Sequence, residues 1–331
     1  MSKKYVITGG CGFIGSHVVE ELLKNKKNYI TVIDNLISGK KSNIDIENKR
    51  LRFVKLDISK NSKKFNKIFK KIDVVIHLAA LADIVPSINN PKLYFSTNVT
   101  GTLNVLNACV KNNVKKVVYA ASASSYGLPK KFPTNENCKI SLMYPYALTK
   151  KLGEDLLLHW AEVYKLNVTS LRLFNVYGTR SRTSGAYGAV FGVFLAQKLN
   201  NKPLTIVGDG KQTRDFIYVK DVAKAFIKAS RLKKNYQIIN IGSGKETSVN
   251  YIANMISKKK NYIPKRPGEP DRSKADITKA KKILKWKPLV PVKEGVGVML
   301  ENINNWKKAP VWNKKSISNA TKVWFKYLKH I

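Results

Sequence analysis

Acidic side chains are few: 21 Asp and Glu stand against 61 Lys and Arg, a formal net charge of +40 over 331 residues. An excess of that size raises nucleic acid as a partner. Arginine is scarce too, however, at 9 of those 61 basic residues, and the 52 lysines run from Lys3 to Lys329 with no arginine–aromatic face. Diffuse lysine amid plentiful asparagine and isoleucine reads as compositional drift toward A/T-rich codons. It argues against a specific nucleic-acid surface and leaves a field that attracts polyanions and nucleotide substrates at low salt. Cysteine is limited to Cys11, Cys109 and Cys138, an odd number at unrelated spacings, which suggests neither a disulfide framework nor a zinc site. Long apolar runs are missing: Val74 to Ala82 and Gly185 to Ala196 fall short of the roughly 18 to 20 residues a membrane span needs. Residues 1 to 10 carry no apolar signal core, so the expectation is a soluble, cytoplasmic protein with no membrane partner. No internal repeat or low-complexity linker interrupts the chain, and 44% hydrophobic content suffices for a large core.

What is present begins at Tyr5-Val6-Ile7-Thr8-Gly9-Gly10-Cys11-Gly12-Phe13-Ile14-Gly15-Ser16-His17, a short apolar strand, a glycine turn and the first turn of a helix. Two dinucleotide-binding spacings fit it, Gly10-x-Gly12-x-x-Gly15 and Gly9-x-x-Gly12-x-x-Gly15. A tight turn, backbone N–H groups close to a pyrophosphate and close helix–strand packing each call for glycine. Such a turn also occurs for packing alone. The second strand, Tyr29 to Asp34, ends in an acid 19 residues after Gly15, followed by Asn35 rather than arginine. That acid suits ribose hydroxyls, and the missing arginine favours NAD over NADP.

Strand-like runs at 5–8, 29–33, 51–56, 73–77, 115–120 and 168–174 alternate with helical patterns at 13–25, 62–70, 92–112 and 146–165. This alternation predicts an α/β fold, a Rossmann-type doubly wound parallel sheet covered by helices on both faces. After Asn175 comes loop sequence from Gly178 to Gly188, a helix at 190–200, a strand at 203–207, a helix at 221–230 and a strand at 236–241. Prolines 264, 267, 270 and 288 then separate further helix signals. The expected division is a cofactor domain over 1–175, partly rejoined by 208–242, and a smaller discontinuous substrate domain from 176–207 and 243–331 over the carboxyl ends of the strands.

Tyr146-Ala147-Leu148-Thr149-Lys150 follows Pro145 at a helix start, which places phenol and ammonium at i and i+4 on one face. A neighbouring cation should lower the tyrosine pKa toward the range of a general base. About 20 residues upstream, the strand at 115–120 runs into Ala121-Ser122-Ala123-Ser124-Ser125-Tyr126-Gly127, where a serine can share a hydrogen bond with a substrate hydroxyl.

Together these motifs resemble the extended short-chain dehydrogenase/reductases, specifically the nucleotide-sugar 4-epimerases acting on UDP-glucose or UDP-N-acetylglucosamine, over about residues 4 to 290. The resemblance implies an NAD site made by Gly9, Gly12, Phe13, Ile14, Gly15, Asp34, Asn35, Asp57, Ile58, Leu78, Ala79, Ala80 and Asn98. It implies Ser122, Tyr146 and Lys150 as catalytic residues, the last two also touching the cofactor. For the substrate it points to Ser122, to Asn175 in Arg172-Leu173-Phe174-Asn175-Val176-Tyr177-Gly178 and to Val190. Arg214 and Arg266 would bind the diphosphate, with Glu269 beside them. A guanidinium fork suits phosphate oxygens. Two departures stand out: Ala82 occupies a position where some epimerases carry lysine, and the tail Lys307 to Ile331, with Trp312, Trp324 and Phe325, lies past the matched part. An amphipathic helix packed on the body or on a partner subunit is expected there.

The activity implied is NAD-dependent epimerisation at C4 of a nucleotide-linked hexose or N-acetylhexosamine, in a homodimer pairing helices 92–112 and 146–165. Ser273, seven residues past Arg266, is small where members restricted to plain hexoses tend to carry tyrosine, and Gly185 to Val190 also resembles the N-acetylhexosamine branch. A 4,6-dehydratase or decarboxylase would share the first step. The dehydratase needs an acid–base pair where this chain has Ala123 and Ser124. A catalytically inactive NAD-fold binding protein is disfavoured by the intact Ser–Tyr–Lys set.

Overall fold

β-Branched residues, stiff at χ1 and suited to a pleated surface, fill the strands that carry the fold: Val6, Ile7, Val32, Ile33, Val74, Val75, Ile76, Val117 and Val118 are all buried. Residues 2–60, 63–181, 190–233 and 236–328 are described by the computed structural model. The first half contains β1 (Lys3–Thr8), α1 (Phe13–Leu23), β2 (Asn28–Asp34), β3 (Leu51–Lys55), α2 (Lys63–Phe69), β4 (Val74–His77), α3 (Ile84–Asn89), α4 (Pro91–Phe95), α5 (Gly101–Lys111), β5 (Lys116–Ser122), α6 (Pro145–Val163) and β6 (Val168–Leu173). There follow β7 (Asn175–Tyr177), α7 (Val190–Leu199), β8 (Leu204–Val207), β9 (Thr213–Arg214), β10 (Phe216–Tyr218), α8 (Val219–Ser230), β11 (Gln237–Ile241), β12 (Thr247–Ser248), α9 (Val249–Ile256), β13 (Lys260–Ile263), α10 (Thr278–Leu284), α11 (Val292–Glu301) and α12 (Lys314–Leu328).

Seven strands form one parallel sheet in the order β11-β6-β5-β4-β1-β2-β3. The order reverses at β1, between β4 and β2, and a doubly wound sheet opens a crevice at the carboxyl ends there. One face is covered through Val18, Val19 and Leu22 of α1 with Val222 and Phe226 of α8. The other is covered through Phe69 of α2, Val105 and Leu106 of α5 and Leu157 of α6. A third cluster, with Phe194, Ile252, Met299 and Trp306, lies under α7, α9 and α11, where β8 pairs with β13.

Several boundaries differ from the sequence reading. The helix expected over 92–112 is three pieces: α4, a π-helical turn at Ser96–Thr100, and α5. The turn holds Asn98, whose amide is hydrogen-bonded to the backbone of Leu81, a tie that a regular helix pattern does not announce. The strand expected to reach 174 ends at Leu173 and the chain resumes as β7 at Asn175, although the Phe174 N–H still bonds to the Ile241 carbonyl of the neighbouring strand. The helix expected at 221 starts at Val219, and α1 stops at Leu23 rather than 25. Most of the loop 178–188 lies outside the described residues, as does the stretch Gly185 to Ala189.

Candidate active site

At the carboxyl end of β1 the chain must turn against the loop after β4. Gly9 takes φ +72°, and a Cβ there would lie 2.7 Å from the Ala79 nitrogen, while one on Gly15 would lie 2.1 Å from the Gly9 carbonyl oxygen. Only glycine satisfies both. The turn delivers Phe13, Ile14 and Gly15, the first turn of α1, to the wall of a cavity of about 720 Å³, where N-terminal N–H groups have no intrahelical acceptor. Gly9, Gly12, Asp34, Asn35, Ile58, Leu78, Ala79 and Ala80 line the same cavity. Asp34 is fixed by accepting from the Cys11 N–H at 3.0 Å and the Leu36 N–H at 2.8 Å, while burial pushes its carboxyl up. His77 braces this end. The Thr102 hydroxyl donates to the Asn98 carbonyl, so His77 Nε2–H donates to Thr102 and His77 Nδ1 accepts from Thr8, at 2.9 and 2.6 Å. Burial holds that imidazole neutral, its pKa lowered to about 3.

Two residues expected at the cofactor do not themselves line the cavity, although Leu56 and Ile58 on either side of Asp57 do. Asp57 is not on the cavity wall; its carboxylate closes a local turn by accepting from the Ser59 N–H and hydroxyl. Asn98 is also off the wall and buried, bonded to Leu81 and donating to the Thr149 hydroxyl at 3.0 Å. It ties the loop after β4 to the helix that carries Tyr146.

Ser122, Tyr146 and Lys150 meet on the cavity wall. Ser122 ends β5 and caps the turn behind it, accepting from the Ser124 N–H and hydroxyl at 3.2 and 2.8 Å. Proline at the start of α6 aims Tyr146 inward, and the Tyr146 N–H donates to the Ser87 hydroxyl at 3.1 Å. The expected lowering of the tyrosine pKa by Lys150 is not what the geometry gives. Burial raises it, the Ser122 hydroxyl pulls it down by hydrogen bonding, and the Asp83 charge pushes it up. The reason lies with the lysine: its ammonium sits over the Tyr119 ring at 4.3 Å and is itself pushed down to about 7 by burial, partly offset by Glu154.

Glu154 was not singled out in the sequence, although its place four residues beyond Lys150 and eight beyond Tyr146 on one helix face is a readable signal. It is buried and receives Arg172 Nη2–H at 2.6 Å, Arg172 Nε–H at 3.1 Å and the Ser170 hydroxyl at 2.6 Å. Asp83 was missed as well; the tail was expected to be an amphipathic helix packed on the body or on a partner subunit, and α12 (Lys314–Leu328) is that helix, but its place on the cavity wall was not foreseen.

Asn175, Val190, Arg214, Arg266, Glu269 and Ser273 all line the same cavity. Glu269 gathers the two guanidiniums, pairing with Arg214 at 2.8 Å and Arg266 at 3.5 Å. The tail reaches this cavity as well. Trp312 and Trp324 are on the wall, and α12 packs on α3 through Trp324, Leu328 and Val85, so the tail lies on the body of the chain. Among the described residues no helix is long and apolar enough to cross a membrane, and no group of three or more His, Cys, Asp or Glu could hold a metal ion.

Compared with known proteins, the profile of the NAD dependent epimerase/dehydratase family matches residues 5–242. A putative UDP-glucose 4-epimerase of Methanocaldococcus jannaschii is 40% identical over 310 residues, spanning 92% of this chain and 98% of that one. Among solved structures, a UDP-N-acetylglucosamine 4-epimerase from Methanobrevibacter ruminantium M1 in complex with UDP-N-acetylmuramic acid matches with a TM-score of 0.85 at 36% identity, covering 91% of this chain and 99% of that one. A UDP-glucuronic acid 4-epimerase from Bacillus cereus in complex with UDP-glucuronic acid and NAD matches at 0.84 and 34%, with 91% and 99% covered.

Proposed function

The chain belongs to the NAD dependent epimerase/dehydratase family, and from that premise we propose that it epimerises C4 of a UDP-linked hexose or N-acetylhexosamine. The carrying observation is that one cavity is lined both by Ser122, Tyr146 and Lys150 and by the paired Arg214 and Arg266. The cradle that only glycine permits, the acid at Asp34 and the first-turn N–H groups of α1 fit a dinucleotide. NAD bound there supplies a reversible hydride acceptor. Tyr146 takes the proton of the C4 hydroxyl, Ser122 holds that hydroxyl and the phenol in line and pulls the phenol pKa down by hydrogen bonding, and the Lys150 ammonium, while it keeps its proton, would hold the cofactor beside them. The 4-keto sugar turns over in the cavity and is reduced on its other face, returning the proton from Tyr146. In this reading residues 1–175, partly rejoined by 208–242, form the cofactor domain and 176–207 with 243–331 the smaller substrate domain, with Ser122, Asn175, Arg214 and Tyr146 reaching the substrate from the first. Ala123 and Ser124 offer no acid–base pair for dehydration. Incubation with UDP-, dTDP- and GDP-sugars, products identified by NMR, tests the reading; a 4,6-dehydrated or decarboxylated product, or none, overturns it.

Ser273 is on the wall, and the proposal extends to a pocket in which this small side chain admits a 2-acetamido group. Wild-type enzyme is therefore expected to interconvert UDP-GlcNAc and UDP-GalNAc at least as well as the plain hexoses. Ser273→Tyr should abolish that activity while sparing UDP-galactose; a variant that handles both removes the gate. A homodimer is part of the same proposal, supported by Leu93, Phe95 and Leu148 of α4 and α6, which remain exposed. Light scattering at micromolar concentration should give twice the chain mass.

A further inference from the structure

The C-terminal segment does more than cap the fold. Ala309, Pro310, Trp312 and Trp324 all line the cavity that holds the catalytic set. The solved relatives are spanned to 99% of their length by 91% of this chain, so this chain has residues without a counterpart there.

Trp324 is buried on α12 and makes three contacts of different kinds. Its indole Nε1–H donates to the Pro267 carbonyl at 2.6 Å, which pins the segment carrying Arg266 and Glu269. The Arg266 guanidinium lies over its ring, 5.5 Å from the centroid. Its ring stands 6.2 Å from that of Tyr144, which in turn lies parallel to the Tyr146 ring at 6.5 Å. One side chain thus touches the diphosphate end through Arg266 and the catalytic end through Tyr144. A sugar whose C4 reaches Tyr146 while its diphosphate reaches Arg214 and Arg266 must pass between those ends.

We propose that Trp324 is a positioning residue for the nucleotide sugar: it holds Arg266 in the orientation that receives the diphosphate, and its ring forms the wall beside the hexose. The proposal rests on the epimerase reading given above. It assigns the tail helix to the substrate site rather than to general stability, since its apolar packing on α3 through Leu328 and Val323 could be made without an indole on the cavity wall.

Two variants separate the roles. Trp324→Leu keeps an apolar side chain against α3 but removes both the ring and the N–H donor. Trp324→Phe restores the ring alone. Each holoenzyme is titrated with UDP and with UDP-galactose by calorimetry, with bound NAD measured by absorbance and thermal melting recorded alongside. Trp324→Leu should weaken UDP binding about tenfold, by loosening Arg266, and UDP-galactose binding by more, because the wall beside the hexose is gone too. Trp324→Phe should recover most of both losses, while NAD content is unchanged in either variant. UDP and UDP-galactose affinities within twofold of wild type in Trp324→Leu overturn the inference and leave the epimerase reading standing. Equal losses in the two variants, tracking their melting temperatures, overturn it in favour of a structural role. Wild-type protein that binds neither ligand removes the inference and the epimerase reading together.

Discussion

Tyr146→Phe is expected to lower epimerisation by roughly 10³-fold or more while the fold and the NAD content stay as in wild type. The substitution removes one oxygen and leaves the ring. The ring still lies parallel to Tyr144, the Tyr146 backbone N–H still reaches Ser87, and Lys150 and the first turn of α1 are untouched. What disappears is the group that takes the C4 hydroxyl proton. Because burial raises the tyrosine pKa and the Ser122 hydrogen bond opposes that rise, the climb in wild-type rate that comes with ionisation of the phenol should lie at high pH, with loss of the Lys150 ammonium above about pH 7 working against it. In Ser122→Ala the climb should move to higher pH, since the lowering contribution is gone. Turnover measured from pH 6 to 10 on the three proteins checks both parts. Activity of Tyr146→Phe within about tenfold of wild type would assign the proton transfer to another group.

How far the sequence could be read depended on how local each cause was. The glycine turn is legible because the strain that selects glycine arises within a few residues, at Gly9 and Gly15 against each other and against Ala79. Asp34 is legible for the same reason, sitting at the end of its own strand. The parallel sheet follows from alternating apolar runs, and the comparisons agree with it. Asp57 and Asn98 are instructive in the other direction. Resemblance implied cofactor contact for both, and the structure adds what no motif showed, that one closes its own turn and the other ties Leu81 to Thr149. A side chain's partner is decided by what lies across space, and a motif shows only what lies along the chain. The Tyr–Lys pair carries the same lesson: i, i+4 spacing brings the residues to one face but says nothing of the burial that raises one pKa and lowers the other. Trp324 was the least legible. It meets Pro267 and Tyr144 from 57 and 180 residues away, across a tail that matches no motif.

The second large effect concerns stability, and it sits beneath the catalytic helix. Arg172 of β6 and Glu154 of α6 are both buried, and the guanidinium also donates to the Tyr126 hydroxyl at 3.0 Å and the Glu136 carbonyl at 3.1 Å. Tyr126 passes the connection on to Asn240 of β11 at 2.7 Å, so the network joins α6, the motif after β5 and the edge of the sheet. Replacing Arg172 by Leu leaves the Glu154 carboxylate in the core with the Ser170 hydroxyl as its remaining hydrogen-bond donor. Breaking one partner of such a pair costs about 3–5 kcal/mol, whereas replacing both by apolar residues of similar volume is often close to neutral. Arg172→Leu should therefore melt far below wild type, and Arg172→Leu with Glu154→Leu should recover most of the loss. Recovery of stability should not bring back activity. Glu154 is the charge that raises the Lys150 pKa against burial, so without it the lysine falls further below about 7 and is neutral over more of the working range. The double variant should be stable yet slow, with a deficit relative to wild type that widens from pH 6 to pH 8 as the ammonium is lost. Calorimetric melting and turnover at the two pH values test the pair of claims. A double variant as unstable as the single one would show that the pair is not the unit of stability. A pH-independent deficit would show that Glu154 acts on the helix rather than through Lys150.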